Sequence, residues 1–321
     1  MSAKIHCAIL DDYQHVALSF ADWSPLKERV EMQVLSEHIA DETELAAAII
    51  DAEIVIIMRE RTPFSASLLA RLPNLKLLIT SGMRNASIDM AAAKSRGVTV
   101  CGTGSGGSAP VEMTWALILG LARHLVEENN ALRHNGPWQN TVGFGLSGKR
   151  LGLIGLGKIG QKMAVIAQAF GMHVVAWSQN LTAERAAECG VDFAASKEAL
   201  LATSDVVSIH LVLSERTRGL LDAADLALMK PSGLLINTSR AAIVDQPALI
   251  AALKACKIGG AGLDVFDVEP LPANHPLRTL PNVLATPHLG YVADGNYQTY
   301  FTEAVDDIEA FLAGEPVRVL S

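Results

Sequence analysis

Residues 151–160 read Leu151-Gly152-Leu153-Ile154-Gly155-Leu156-Gly157-Lys158-Ile159-Gly160. A short apolar run suited to a buried strand ends in three glycines at G-x-G-x-x-G spacing. A helical pattern follows over Lys162 to Phe170, and a second apolar run ends at Ala176. Each glycine has its own physical reason. Gly155 permits the tight turn from strand to helix. Gly157 lacks a Cβ, so the backbone can approach a diphosphate. Gly160 lets helix and strand pack closely. The helix N-terminus then offers free N–H groups and a positive dipole end to the phosphates. Lys158 and Ile159, inside the turn, join the glycines as candidate cofactor-binding residues. A lone glycine pattern carries little weight. The strand, helix and second strand around this one make it a dinucleotide-binding βαβ unit.

The end of the second strand departs from the common pattern. An Asp or Glu about 20 residues after the glycines usually accepts hydrogen bonds from the ribose 2′-OH. Here Ser178 stands in that place, within Trp177-Ser178-Gln179-Asn180. A serine hydroxyl can bond a ribose, but it does not repel a 2′-phosphate. The nearest cation is Arg185, a few residues on. NAD and NADP both remain open at this point.

Working outward, short apolar runs alternate with helical patterns on both sides of the glycine turn. Before it, Ile5–Leu10, Glu31–Leu35, Ile54–Met58, Leu75–Thr80 and Val98–Cys101 read as strands. Glu42–Ile50, Ser67–Leu72 and Met90–Ser95 read as helices. After it, His173–Ala176, Val206–His210, Leu234–Asn237, Gly260–Leu263 and Val283–Ala285 read as strands, and Gln298–Leu312 as a closing helix. This alternation predicts α/β architecture with doubly wound parallel sheets. The stretch 101–108 is rich in glycine and serine and reads as a linker or a ligand-approaching loop. A long helix is expected from about Pro110 to His134. Its first half is apolar nearly all round, which predicts burial in the core or against another subunit.

Composition narrows the function classes. The 321 residues allow two domains, and half are hydrophobic. The net charge of −8 is spread without basic blocks. Neither nucleic acid nor an anionic membrane surface is an expected partner. The best apolar run, Trp115–Leu121, is cut short by Arg123 and His124, so no membrane span is expected. The N-terminal residues run directly into a strand and do not resemble a cleavable leader. The cysteines Cys7, Cys101, Cys189 and Cys256 form no C-x-x-C pair, which predicts free thiols in a reducing cytoplasm. No His cluster or H-E-x-x-H pattern suggests a metal, and no G-x-S-x-G elbow suggests a serine hydrolase.

Three segments near the C-terminus place polar residues just beyond expected strand ends. They are Asn237-Thr238-Ser239-Arg240, the run from Leu263 through Asp264 to Glu269, and Thr286-Pro287-His288. In doubly wound sheets, ligands bind beyond the carboxyl ends of the strands. Arg240, Glu269 and His288 therefore form the candidate catalytic set. An arginine fork can hold a carboxylate and polarise a carbonyl. A histidine can exchange a proton near neutral pH, and a carboxylate beside it fixes its tautomer. Each taken singly is also compatible with a surface ion pair, a loop cap or a structural histidine.

With these residues in place, the chain resembles the D-isomer-specific 2-hydroxyacid dehydrogenase family along nearly its whole length. The likeness is carried by residues 146–160, 204–211, 236–245, 262–272 and 280–290. It implies an oxidoreductase that interconverts a 2-hydroxy acid of the D series and a 2-keto acid by hydride transfer with NAD or NADP. It implies that Arg240 binds the substrate carboxylate and carbonyl oxygen, that His288 is the acid/base and that Glu269 is its partner. It also implies that Asp264 contacts the nicotinamide carboxamide and that His210 lies near the cofactor, alongside Ser178 and Thr238. The implied architecture is a Rossmann cofactor domain, residues 103–289, inserted into a flavodoxin-like split substrate (catalytic) domain, residues 1–102 and 290–321. The helix after residue 108 would help form a homodimer.

Two departures bear on the substrate. The family's Gly-x-Gly-x-Asp loop reads Gly82-Met83-Arg84-Asn85-Ala86 here. The N–H groups of Met83 and Arg84 could still cradle a carboxylate, and the Arg84 side chain could meet a bulkier or more acidic substrate. Arg59, at the end of a strand, is a further candidate, or else a surface ion-pair residue. Val212 stands where the family usually has Pro, near the adenine end. Two other readings of the scaffold are a nicotinamide-sensing binding protein, such as a corepressor, and a formate- or phosphite-type dehydrogenase.

Overall fold

The computed structural model describes residues 4–320. The chain divides into two compact units. One combines Met1–Gly106 with Ala293–Ser321, and the other is Gly107–Val292. Both junctions fall a few residues later than the sequence suggested. Hydrogen bonds account for the first: Gly104 N donates to Glu303 Oε2 at 2.6 Å, and Gly106 N to Asn296 Oδ1 at 2.8 Å. The glycine-rich stretch is thereby tied to the C-terminal helix.

In the first unit, β1 (Ile5–Ile9), β2 (Val30–Val34), β3 (Ile54–Ile57), β4 (Leu77–Thr80) and β5 (Thr99–Gly102) form one sheet. Its order is β2-β1-β3-β4-β5, and the strands pair in parallel. This is the flavodoxin-like order. Strands β3 and β4 are buried at every position, as expected where helices cover both faces. Helices α1 (Glu42–Ala48), α2 (Ala66–Ala70) and α3 (Met90–Ser95) begin at Asp41, Ser65 and Asp89. Each of these side chains accepts from first-turn N–H groups. The closing helix, α11 in chain order (Asp294–Leu312), starts one turn earlier than its periodicity suggests. It buries Tyr297, Tyr300, Phe301, Ala304, Val305 and Ile308, a single helical face. The tail beyond it pairs with β5 through Leu320 N to Val100 O and Gly102 N to Arg318 O, which covers that sheet edge.

The second unit carries β6 (Arg150–Ile154), β7 (His173–Trp177), β8 (Asp192–Phe193), β9 (Val206–Ile209), β10 (Leu234–Asn237), β11 (Gly260–Leu263) and β12 (Val283–Ala285). Their order is β12-β11-β10-β9-β6-β7-β8, again with parallel pairing. The chain runs outward from β6 in one direction through β7 and in the other through β9. The carboxyl ends of these strands therefore flank a topological switch point, where such sheets bind ligands.

The helix expected over 110–134 is two helices, α4 (Ala109–Ala122) and α5 (Leu125–Arg133). His124 between them takes a left-handed φ of 50°. The break falls where a residue from outside the helix intervenes: the Ala122 carbonyl accepts from Phe144 N at 2.9 Å, outside the helix ladder. Helix α4 packs within its own unit, with Val111, Trp115, Leu117, Ile118 and Ala122 in the core beside Leu151, Leu153 and Ile236. The remaining helices are α6 (Lys158–Ala169), α7 (Ala183–Glu188), α8 (Lys197–Thr203), α9 (Ala223–Leu228) and α10 (Gln246–Lys254). Among the described residues no helix is long and apolar enough to cross a membrane.

Candidate active site

The glycine turn sits at the end of β6. Leu151, Leu153 and Ile154 are fully buried, and Gly155 N donates to Trp177 O at 2.9 Å. Gly155 has φ +105°, and a Cβ there would lie 2.5 Å from the His210 carbonyl oxygen. A Cβ at Gly160 would overlap the Gly155 carbonyl, so this glycine allows α6 to lie against the turn. Gly157 differs: a Cβ there meets no atom within 4 Å. Its bare backbone faces open space, where the diphosphate of a dinucleotide would approach. Gly157 is also the N-cap of α6 and supplies no side-chain cap, which leaves first-turn N–H groups for a ligand. Helix α6 opens at Lys158, so Lys158 and Ile159 form its first turn. The turn therefore fits a dinucleotide.

The remaining cofactor candidates divide. Ser178 lines a cavity of about 290 Å³ at the ends of β7 and β9. Arg185 does not share it: its Nη1 bonds Glu188 Oε2 at 2.8 Å along α7. Burial brings the His210 pKa down to about 4, so its ring is neutral at neutral pH, and Nε2 lies 2.9 Å from Ser208 Oγ. The Thr238 hydroxyl pairs with Thr114 Oγ1 at 2.8 Å, which ties the β10 loop to α4.

Asp264 has a structural task that spacing did not reveal. Its side chain lies in a residue with no exposed surface. Oδ1 accepts from Thr286 Oγ1 at 2.6 Å and Leu289 N at 2.7 Å, and Oδ2 accepts from Gly290 N at 2.7 Å. These bonds brace the turn that carries His288. Burial pushes the Asp264 carboxyl above its usual range, and the three donors oppose that shift.

His288 and Glu269 are brought together. His288 Nδ1 is 2.6 Å from Glu269 Oε2, while Glu269 Oε1 accepts from Phe266 N at 2.8 Å. The Tyr291 ring meets the imidazole edge-on with centroids 5.3 Å apart. Arg240 follows β10 at the start of a tight turn, Ala241–Ile243. Its Nη1 donates to Ser239 O at 2.7 Å, and its carbonyl accepts from Asn237 Nδ2 at 2.9 Å. Asn237 also accepts from Ser239 N at 3.0 Å, an Asx turn that shapes the loop. The Asn-Thr-Ser-Arg run contained that signal, although Thr238 and Arg240 were singled out from it and Asn237 was not.

In the first unit, Arg59 has a left-handed φ of 54°. Its guanidinium lies over Gly82, and Nη1 donates to Ser81 O at 3.2 Å. Asn85 organises the neighbouring loop: its Nδ2 donates to Arg59 O at 2.6 Å and to Thr80 Oγ1 at 2.9 Å. Gly82 N is committed to Thr103 Oγ1 at 3.0 Å. Met83 and Arg84 are exposed at the top of this loop. Among the described residues no three His, Cys, Asp or Glu side chains form a group able to hold a metal.

Comparison with known proteins decides what this arrangement belongs to. The family model of the NAD-binding domain of D-isomer-specific 2-hydroxyacid dehydrogenases matches residues 115–290. The glyoxylate reductase of Aeropyrum pernix is 37% identical over 77% of this chain and 76% of its own length. The chain belongs to the D-isomer-specific 2-hydroxyacid dehydrogenase family. The D-3-phosphoglycerate dehydrogenase of Mycobacterium leprae is 35% identical over 86% of the chain, which spans only 52% of that relative. A phosphoglycerate oxidoreductase structure from Vibrio cholerae superposes with a TM-score of 0.92 at 39% identity, covering 97% of this chain and 99% of that one. As a member, the chain is an NAD- or NADP-linked oxidoreductase that interconverts 2-hydroxy and 2-keto acids. This fits better than a corepressor or a formate-type enzyme.

Proposed function

We propose that the chain reduces a small 2-keto acid to the D-2-hydroxy acid, with His288, Glu269 and Arg240 as its catalytic set. The observation that carries this reading is the 2.6 Å contact between His288 Nδ1 and Glu269 Oε2. A carboxylate held from behind by Phe266 N makes Nδ1 the donor of that pair and leaves Nε2 to face a substrate. When bound, the nicotinamide supplies the hydride. His288 delivers a proton from Nε2 to the carbonyl oxygen and takes it back in the oxidative direction. Glu269 holds the ring and balances the charge that develops on it. Arg240 directs its guanidinium at the carboxylate and carbonyl oxygen, a planar bidentate fit. Such positioning lowers barriers by roughly 7–11 kcal/mol in favourable cases.

In the first unit, the Met83 and Arg84 N–H groups offer a cradle able to hold a carboxylate, with the Arg59 guanidinium against Gly82. The Arg84 side chain favours a substrate carrying a second acidic group, such as a phosphorylated 2-keto acid. A panel of glyoxylate, pyruvate, hydroxypyruvate and 3-phosphohydroxypyruvate separates the two substrate classes. Arg84→Ala should raise KM for the phosphorylated acid and leave the others close to wild type.

The assembly proposed is a homodimer. Support comes from α5 and the segment after it, where Leu125, Leu132, Trp138 and Val142 are exposed, the last two at 82% and 96%. A reducing cytoplasm suits the four free cysteines.

A further inference from the structure

The ends of β7 and β9, on either side of the glycine turn, enclose the cavity of about 290 Å³. Leu211 and Leu220 give it an apolar wall, and Ser178, Asn180, Thr217 and Arg216 give it a polar rim. No Asp or Glu lines it. A carboxylate at the end of the second strand selects NAD, because it binds the ribose hydroxyls and repels a 2′-phosphate. Ser178 leaves that repulsion out. Arg216 adds the opposite charge. Its guanidinium is not consumed by the protein: among the described residues it has no hydrogen bond or ion pair, whereas Arg185 is committed to Glu188.

The segment carrying Arg216 is also held in place. Ser214 N donates to Thr217 Oγ1 at 2.8 Å, Thr217 Oγ1 donates to Val212 O at 2.9 Å, and Arg218 N donates to Ser214 O at 2.9 Å. The cation thus projects from an ordered turn. An arginine fork matches a phosphate in geometry and charge.

We propose that this cavity selects the 2′-phosphorylated dinucleotide NADP(H), with Ser178 admitting the phosphate and Arg216 binding it. The proposal rests on the family's use of a nicotinamide dinucleotide and not on the roles given to His288, Glu269 or Arg240.

Direct binding tests it without turnover. NADPH, NADH, adenosine 2′,5′-bisphosphate and 5′-AMP are titrated into the full chain by calorimetry. NADPH should bind about tenfold or more tightly than NADH, and the bisphosphate should outbind 5′-AMP in the same sense. Arg216→Ala should weaken NADPH by about tenfold and change NADH by no more than about twofold. Ser178→Asp should reverse the preference. Equal or tighter binding of NADH by the wild type overturns the proposal and leaves hydride transfer standing. An R216A variant that keeps its NADPH affinity, or loses both cofactors equally, overturns the role of Arg216. Failure of the folded wild type to bind either dinucleotide overturns the dinucleotide reading itself.

Discussion

His288 Nδ1 lies 2.6 Å from Glu269 Oε2, and both residues are braced from the backbone. Glu269 takes a hydrogen bond from Phe266 N, and the His288 turn is held by Asp264 through Leu289 N and Gly290 N. His288 itself has φ 53°, a conformation that needs such support in a residue with a side chain. The placement of His288 beside Glu269 therefore depends on a second carboxylate, Asp264, that braces its turn.

Asp264→Asn keeps the volume and removes one acceptor oxygen from a group serving three donors. A buried donor left unpaired costs about 1–3 kcal/mol. The expected outcome is a lower Tm and a lower kcat. Wild-type kcat in this variant would show that the brace is unnecessary.

Gly157 and Gly160 should respond differently to the same methyl group. Gly160→Ala forces a Cβ into the Gly155 carbonyl, and overpacking of this kind costs about 1–3 kcal/mol. Thermal melts should show that loss. Gly157→Ala meets no protein atom, so its Tm should stay close to wild type while dinucleotide affinity falls. Equal Tm values with equal affinities would contradict a diphosphate cradle at Gly157.

His210 and Asp307 should carry opposite pH signatures. Burial lowers the His210 pKa to about 4. The unfolded chain takes up this proton near its ordinary value, about 6.5, while the folded chain does not. The stability contribution is thus full above that value and lost as pH falls toward 4. Asp307 is pushed up to about 7 by burial, against the pull of Arg318. Here the folded chain keeps a proton that the unfolded chain releases near about 4. That contribution is present below 4 and lost as pH rises through 7. Across pH 4–8, melts of His210→Asn should lose the acid-side decline due to this group. Asp307→Asn should remove the opposing decline toward neutral pH. Unchanged slopes in both variants would contradict the assignment.

The glycine run was legible because its chemistry fixes spacing along the chain, the parallel sheets because short apolar runs alternate with helical patterns, and Glu269 and His288 because they follow strand ends, their partnership being implied by the family resemblance. What was not legible depended on contacts distant in sequence. Phe144 takes the Ala122 carbonyl at the break in a helix that periodicity alone continues to His134. Trp115 and Leu117 pack onto Leu151 and Ile236, so the apolar face of α4 serves its own core. Arg216 lies nearly 40 residues beyond Ser178, and only the fold brings both to one cavity. Helices α7 to α10 are short, which weakens periodicity, although Thr182, Ser196, Asp222 and Asp245 mark their starts as N-caps.

Apolar exposure after α4 gives the proposed homodimer its test. Leu132→Glu combined with Trp138→Glu should convert a dimer to a monomer in light scattering, with dinucleotide binding retained. A wild type that is monomeric at micromolar concentration would contradict the proposed interface.

In the proposed mechanism, His288 moves the proton that accompanies hydride transfer. The most direct test of that step is single-turnover reduction of a 2-keto acid by the cofactor-loaded chain, compared with His288→Ala at matched cofactor occupancy. The expected result is a loss of about 10²–10⁴-fold in the hydride step with dinucleotide affinity unchanged. A His288→Ala variant that transfers hydride at the wild-type rate would contradict it.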